Sequence, residues 1–151
     1  MATAQAYDEE MTNRIKKHKQ ERPAGWRTLE VTRGIGESIK KNISNSKVVI
    51  IDCITLLVTN ILCNHLRKNS DKIDDEIIEE ELNMEMEGIT QTLKKLDVCF
   101  IVVTNEVGEG IVPGNRMSRV YRDLLGRANQ QLARAVDKVY LMVAGIPVEI
   151  K

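Results

Sequence analysis

Three apolar segments, separated by amphipathic ones, dominate the hydrophobic pattern of the chain. They cover residues 48–52, 98–106 and 138–145, and each contains a run of aliphatic, often β-branched side chains bounded by polar residues. Such runs are typical of strands that are buried on both faces of a parallel sheet. We therefore predict three buried strands. Residues 26–31 are a weaker strand candidate, and the last residues, 145–151, predict an edge hairpin.

Five segments between these runs have the periodicity of amphipathic helices. They are residues 8–19, 34–45, 55–67, 74–96 and 115–136. In the first, Met11, Ile15 and His18 lie on one face because they are spaced by four and three residues. Its acidic start and basic end suit the helix dipole, and Pro23 and Gly25 follow as helix breakers.

The alternation of buried strands and helices predicts a single α/β domain over residues 1–151, with a mostly parallel sheet and helices on both faces. In such sheets, ligands bind at the carboxyl ends of the strands. Asp52, Asn105 and Glu106 occupy these ends. These three polar residues are therefore candidates for a binding site.

Composition excludes several functional classes. The 22 basic and 22 acidic residues cancel, whereas nucleic-acid binding usually leaves a basic excess. No segment approaches the ~20 apolar residues that a membrane span needs. The first ten residues lack the basic and apolar regions of a signal peptide. We therefore expect a cytoplasmic protein with neither nucleic-acid partner nor membrane span.

The three cysteines, Cys53, Cys63 and Cys99, are widely spaced and odd in number. This arrangement argues against a disulfide framework or a zinc site. All three have apolar neighbours in the sequence, so we predict that they are small buried hydrophobic side chains.

Two residues are individual candidates for chemistry, and each has a structural alternative. Asp52 follows an apolar strand, which suits a carboxylate that holds Mg²⁺ near phosphates and equally suits a cap of the next helix. His18 lies late in its helix, where a neutral imidazole could act as a nucleophile. The pattern alone favours a histidine stabilised by the helix end. His65 has no patterned partner.

Charged side chains also cluster on two of the helices. The last helix carries an arginine stripe, Arg116, Arg119, Arg122 and Arg127. Such a stripe could bind phosphate groups, but pairing with the acidic helix 74–87 is the favoured interpretation. That acidic face is interpreted as solvated rather than as a metal site. Residues 68–76 are polar and predict a surface loop.

Several long stretches resemble one enzyme family. They are ATAQAYDEEM, RIKKHKQERPAGWRTLE, VVIIDCITLLVTNIL, VVTNEVGEGIVPGNRMSRVYRDLLGRANQQLA and VYLMVAGIPVEIK, in family order from residue 2 to residue 151. The chain resembles the bifunctional adenosylcobinamide kinase / adenosylcobinamide-phosphate guanylyltransferase family. The resemblance implies a RecA-like P-loop fold and a role in cobalamin (vitamin B12) biosynthesis. Family members phosphorylate adenosylcobinamide with a nucleoside triphosphate and then transfer GMP from GTP to that phosphate.

The resemblance also assigns roles to individual residues. It implies that His18 carries the guanylyl group, that Lys19 and Arg22 offset phosphate charge, and that Glu30 accepts hydrogen bonds from ribose or base. The implied GTP contacts are Ala2, Thr3, Ala4, Lys19, Gln20, Glu21, Arg22, Glu30 and Asp52, with Asp52 also the metal ligand. The implied small molecules are GTP, ATP, Mg²⁺, adenosylcobinamide and its phosphate, and a homotrimer is the implied assembly.

One departure from the family pattern concerns the phosphate-binding loop. The sequence contains no G-x-x-x-x-G-K-[ST], and the nearest pattern, TRGIGES, lacks the lysine. We therefore expect an N-terminally truncated chain without the first strand and P-loop, with exposed strand edges and without kinase activity. The alternatives are an inactive remnant, a subunit that needs a separate P-loop-bearing chain, and, more remotely, an unrelated interaction module that uses the acidic helix.

Overall fold

The computed structural model describes residues 1–68 and 74–151. Within these residues lie five helices and four strands. In chain order they are α1 (Glu9–Glu21), α2 (Ile35–Asn42), β1 (Val48–Asp52), α3 (Ile54–Lys68), α4 (Asp75–Lys95), β2 (Cys99–Val103), α5 (Arg116–Ala135), β3 (Tyr140–Val143) and β4 (Ile146–Glu149). All five predicted helices and the two central predicted strands are therefore confirmed in position. The predicted loop 68–76 lies largely outside the described residues.

Side-chain caps explain why three of the helices begin where they do. Asp8 accepts a hydrogen bond from the Met11 amide at the start of α1. Asp74 caps α4, and Asn115 caps α5. Each cap side chain satisfies one of the backbone N–H groups that the first turn leaves without a helical partner.

The parallel sheet is small. β1 pairs with β2 in parallel, with Val48 opposite Cys99 and Asp52 opposite Val103. Residue Ala2 extends this sheet, because it forms parallel bridges to both Asp52 and Glu30. The weak strand prediction for residues 26–31 is thus reduced to one bridging residue. The extensive RecA-like sheet that the resemblance implies is not seen in full.

The core is built mainly by α2, α3, α4 and α5. Their buried side chains are almost all aliphatic: Ile35, Ile39, Ile54, Leu57, Val58, Ile61, Leu62, Ile78, Leu82, Met86, Ile89, Leu124, Leu125, Ala128 and Leu132. α2 and α4 approach closely at their glycines, since a Cβ on Gly36 would lie 2.2 Å from the Gly88 carbonyl oxygen. Two aromatic side chains, Phe100 and Tyr121, pack against this aliphatic cluster from its edge.

The prediction that β1 and β2 are buried on both faces is wrong. Phe100 and Val102 pack against the core, but Ile101 and Val103 on the other face are 48% and 41% exposed. Side chains alternate between the two faces of a strand. The described helices therefore cover one face of this sheet, not both.

The third predicted buried strand is also corrected. β3 does not join the parallel sheet but pairs antiparallel with β4, with Val143 opposite Ile146. Its apolar side chains are largely exposed, including Met142 at 60%. The predicted edge hairpin is confirmed, with Gly145 at the positive φ of 79° that the tight turn requires.

The cysteines differ from their predicted burial. Cys53 and Cys63 are half-buried and Cys99 is exposed, and all three are free. Cys99 is exposed because it lies on the uncovered face of β2.

Candidate functional site

The site is organised around the carboxyl end of β1. The Ala2 amide donates to Leu29 O at 2.8 Å, and the Thr3 amide donates to Asp52 O at 3.0 Å. Ala2 therefore lies between the segment that contains Glu30 and the strand that ends at Asp52. These backbone contacts bring together four of the residues that the sequence analysis assigned to nucleotide binding, namely Ala2, Thr3, Glu30 and Asp52.

The buried side chain of Thr3 stabilises the position of the first residues against the end of β1. Its side chain is fully buried, its hydroxyl donates to Cys53 O at 2.7 Å, and the hydroxyl oxygen accepts from the Cys53 amide at 2.8 Å. Because the hydroxyl is fully engaged and inaccessible, the Thr3 side chain joins the first residues to the end of β1. Its neighbour Ala4 is half-buried.

α1 carries His18 in its last turn. None of the residues of α1 is buried, and the His18 side chain is exposed. An exposed imidazole is available to an incoming phosphorus atom without displacement of core side chains. Gln20 and Glu21 are exposed as well, and Glu21 forms a loose ion pair with Lys17 at 3.7 Å.

Two contacts join the end of α1 to the strand region. Lys19 Nζ lies 2.6 Å from Glu30 Oε1, with both side chains about half exposed (50% and 51%). Arg22 donates to the Thr28 hydroxyl at 3.3 Å. The residues adjacent to His18 are therefore connected directly to Glu30 and its neighbours.

The pKa of the Met1 ammonium responds to two further site residues, Arg22 and Asp52. Burial lowers the pKa of this amino group, the positive charge of Arg22 lowers the pKa further, and the Asp52 carboxylate opposes both effects. Arg22 and Asp52 thus act on the same point.

Asp52 could bind a magnesium ion only together with the phosphates of a bound nucleotide. The Asp52 side chain is exposed at the end of β1. Within residues 1–68 and 74–151, no group of three or more histidine, cysteine or acidic side chains could hold a metal ion. Mg²⁺ commonly takes one or two protein carboxylates plus substrate phosphates. A single accessible carboxylate fits that second mode of binding.

The loop after β2 is fastened by side chains that the sequence analysis missed. The Thr55 hydroxyl accepts from the Asn105 amide at 2.9 Å. Asn129 donates to Asn105 O at 3.0 Å and accepts from the Thr104 hydroxyl at 2.7 Å. Asn105 is therefore held at the carboxyl end of β2, as predicted, while Glu106 is exposed and accepts from the Gly108 amide.

The arginine stripe on α5 has the structural role that the sequence analysis favoured. Arg116 pairs with Asp75 at 2.8 Å, and Arg127 pairs with Glu79 on the same acidic helix. Arg119 donates to Gly114 O and Arg122 to Gly108 O, each at 2.6 Å. The stripe therefore fastens α5 to α4 and to the preceding loop.

Another network missed by the sequence analysis links α3 to the residues before α1. Asn60 is fully buried and donates to Thr3 O at 2.8 Å. The Tyr7 hydroxyl lies 2.9 Å from Asn60 Oδ1. The available signal was a single amide side chain within the largely apolar stretch LLVTNIL.

No helix among the described residues is both long enough and apolar enough to cross a bilayer.

A family model described as "Cobinamide kinase / cobinamide phosphate guanyltransferase" matches residues 1–150. The chain is 41% identical over 152 residues to the bifunctional adenosylcobalamin biosynthesis protein CobU of Escherichia coli (strain K12), covering 100% of this chain and 84% of the relative.

Two further relatives agree with this match. CobU of Salmonella typhimurium is 40% identical over 152 residues, with 100% of this chain and 84% of the relative covered. The bifunctional adenosylcobalamin biosynthesis protein CobP of Pseudomonas aeruginosa is 36% identical over 151 residues, with 100% and 80% covered. The resemblance found in the sequence motifs is thereby confirmed.

Proposed function

Because the chain belongs to the cobinamide kinase / cobinamide phosphate guanyltransferase family, we propose that it transfers GMP from GTP to adenosylcobinamide phosphate through a covalent intermediate on His18. The observation that carries the proposal is that His18 is exposed in the last turn of α1. Lys19, the residue after His18, forms an ion pair with Glu30. We expect this reaction to take place in the cytoplasm as a step of cobalamin biosynthesis.

The transfer takes place in two substitutions at the same phosphorus. A neutral ring nitrogen of His18 attacks the α-phosphorus of GTP and forms a P–N bond. The bond between the α-phosphorus and the oxygen that bridges it to the β-phosphorus breaks, so that pyrophosphate leaves. An oxygen of adenosylcobinamide phosphate then attacks the same phosphorus, and the P–N bond breaks. The histidine regains its starting form, and the product is adenosyl-GDP-cobinamide.

The neighbouring residues have supporting roles in this proposal. Lys19 and Arg22 offset negative charge as it develops on the transferred phosphate. Glu30 accepts hydrogen bonds from the nucleoside, and Asp52 holds Mg²⁺, which would neutralise charge on the triphosphate. The backbone of Ala2, Thr3 and Ala4 positions these side chains, whereas the exposed Gln20 and Glu21 lie at the outer rim.

The test is direct detection of the intermediate. The protein is incubated with Mg²⁺ and GTP labelled at the α-phosphate, and the adduct is located by mass spectrometry. The chain has only two histidines, so His18→Ala and the matched variant His65→Gln separate the two sites. We expect an acid-labile adduct in wild type and in His65→Gln and none in His18→Ala. Folded wild-type protein that acquires no label contradicts the proposal for this chain alone.

A second candidate function follows from the uncovered strands. Ile101 and Val103 on β2 and Met142 on β3 are exposed apolar side chains, and β3 does not pair with β2. We propose as the alternative that this chain is a subunit that acts with a polypeptide bearing a phosphate-binding loop. Adding a peptide with an apolar strand followed by G-x-x-x-x-G-K-[ST] discriminates the two, because only the alternative expects labelling to depend on the peptide. A homotrimer and the use of ATP for cobinamide phosphorylation remain predictions of the resemblance.

A further inference from the structure

The placement of α1 depends on its two ends. No residue of this helix is buried, so apolar packing does little to hold it against the rest of the protein. Its last turn is joined to the strand region by Lys19 and Glu30. Its first turn begins at Asp8, directly after the segment of residues 3–7. Whatever holds that segment therefore also sets where α1 starts.

The side chain of Asn60 holds the segment at both of its ends. Asn60 projects from α3 and is fully buried. Its Nδ2 donates to Thr3 O at 2.8 Å, and its Oδ1 lies 2.9 Å from the Tyr7 hydroxyl. The amide group of Asn60 thus binds the Thr3 carbonyl at one end of the segment and the Tyr7 hydroxyl at the other. Tyr7 immediately precedes Asp8, the N-cap of α1.

The direction of these hydrogen bonds is determined by the Thr3 carbonyl. This carbonyl accepts only, so the Asn60 NH₂ group faces Thr3 and its oxygen faces Tyr7. The Tyr7 hydroxyl therefore acts as donor toward Asn60 Oδ1. Gln5 Oε1 lies 2.9 Å from the same hydroxyl and is a second acceptor for it. The guanidinium of Arg67, also on α3, lies 4.8 Å from the centre of the Tyr7 ring.

We propose that Asn60 is a positioning residue for guanylyl transfer. It fixes residues 3–7 and thereby the start of α1, and through this helix it sets the position of His18 relative to the bound nucleotide. The inference rests on the proposed function. Asn60 has no role in contacting GTP, so its loss affects the rate of the covalent step more than nucleotide binding.

The test compares Asn60→Ala with Leu62→Ala, a buried aliphatic residue of the same helix. Both variants lose stability, but Asn60→Ala also removes the hydrogen bonds to Thr3 and Tyr7. A misplaced reactive group can lose on the order of 100-fold in rate, and we expect about a tenfold slower formation of the GMP adduct at saturating GTP in Asn60→Ala. The GTP concentration for half-maximal rate stays within about twofold of wild type in both variants.

A second measurement is independent of activity. Amide hydrogen exchange of residues 3–7 is compared with that of α5 in each variant. We expect exchange of residues 3–7 to accelerate in Asn60→Ala beyond the change in α5, and the two to change together in Leu62→Ala. Tyr7→Phe keeps the ring beside Arg67 but loses the hydroxyl, and we expect it to shift exchange in the same direction as Asn60→Ala.

The outcomes separate the two proposals. A slower adduct rate in Asn60→Ala with near-normal GTP dependence, absent from Leu62→Ala, supports the positioning role. An equal loss in both variants overturns it. Absence of adduct in the wild type defeats the proposed function instead. Hydrogen exchange then decides whether Asn60 positions residues 3–7, and unchanged exchange in Asn60→Ala overturns the inference.

Discussion

Lys19 and Glu30 form an ion pair of 2.6 Å that joins the end of the helix bearing His18 to the backbone segment paired with Ala2. Both side chains are half exposed, so solvent screens their attraction and the pair contributes little stability. Its importance lies in placement. It joins a cation of the last turn of α1 to the carboxylate of Glu30.

The first prediction concerns Lys19→Met. Stability changes by less than about 1 kcal/mol, because an exposed ion pair is worth little. Formation of the GMP adduct slows by about 100-fold, since a charge that stabilises the transferred phosphate is lost. The rate is measured with α-labelled GTP. Lys17→Met is the matched control, because Lys17 lies on the same helix and pairs only loosely with Glu21. Equal rates for Lys19→Met and wild type would contradict the assigned role.

The second prediction concerns the buried hydroxyl of Thr3. Thr3→Val keeps the shape of the side chain but removes both hydrogen bonds to Cys53. We expect a loss of about 1–3 kcal/mol in the free energy of unfolding, because the Cys53 amide and carbonyl lose their partner. Urea denaturation measures it. Thr3→Ser retains the hydroxyl and should lose less. If Thr3→Val kept full stability but weakened GTP binding, the hydroxyl would be a ligand contact instead.

The third prediction uses two glycines at one helix crossing. In Gly36→Ala the new methyl would meet the Gly88 carbonyl oxygen at 2.2 Å, and the helices must separate. We expect a loss of about 1–3 kcal/mol, the usual cost of overpacking. A Cβ on Gly88 meets nothing within 4 Å, so Gly88→Ala should gain about 0.5–1 kcal/mol from helix propensity. Thermal unfolding measures both variants, and unfolding temperatures that shifted in the same direction in both would contradict this close contact.

The fourth prediction concerns cysteine reactivity and its pH dependence. Burial is the largest cause of a raised pKa for the Cys53 thiol, and a raised pKa leaves less reactive thiolate at any given pH. Alkylation of Cys53 should therefore increase mainly at alkaline pH. Cys99 is exposed and should react first at neutral pH. Timed iodoacetamide labelling with peptide mass spectrometry checks the order, and faster labelling of Cys53 at neutral pH would show that its surroundings are open.

The positions of the helices could be predicted from the sequence because their periodicity and caps are local signals. Asp8 and Asn115 mark helix starts that the structure confirms. The aliphatic run of β2 likewise identified a strand. It could not reveal what covers the strand, because Ile101 has the same apolar character whether it is buried or exposed. The exposure of one sheet face was therefore found only in the structure.

In the candidate site, too, some features could be predicted from local sequence and others were found only in the structure. Asp52 and Asn105 were expected at strand ends, because that expectation needs only the direction of the strands. The pairing of Ala2 with both Glu30 and Asp52 joins segments far apart in sequence, and the letters ATAQ have no strand signature. The role of Asn60 also escaped prediction, since its partners Thr3 and Tyr7 lie more than fifty residues away along the chain.

The lack of buried residues in α1 has a consequence for protein engineering. Changes to its solvent-facing side chains remove no core contacts, so libraries that vary Arg14, Lys16 or Lys17 would retain the fold. If the proposed function holds, selection for nucleotide donors other than GTP could therefore begin on this helix, while the packed helices α3, α4 and α5 are left unchanged.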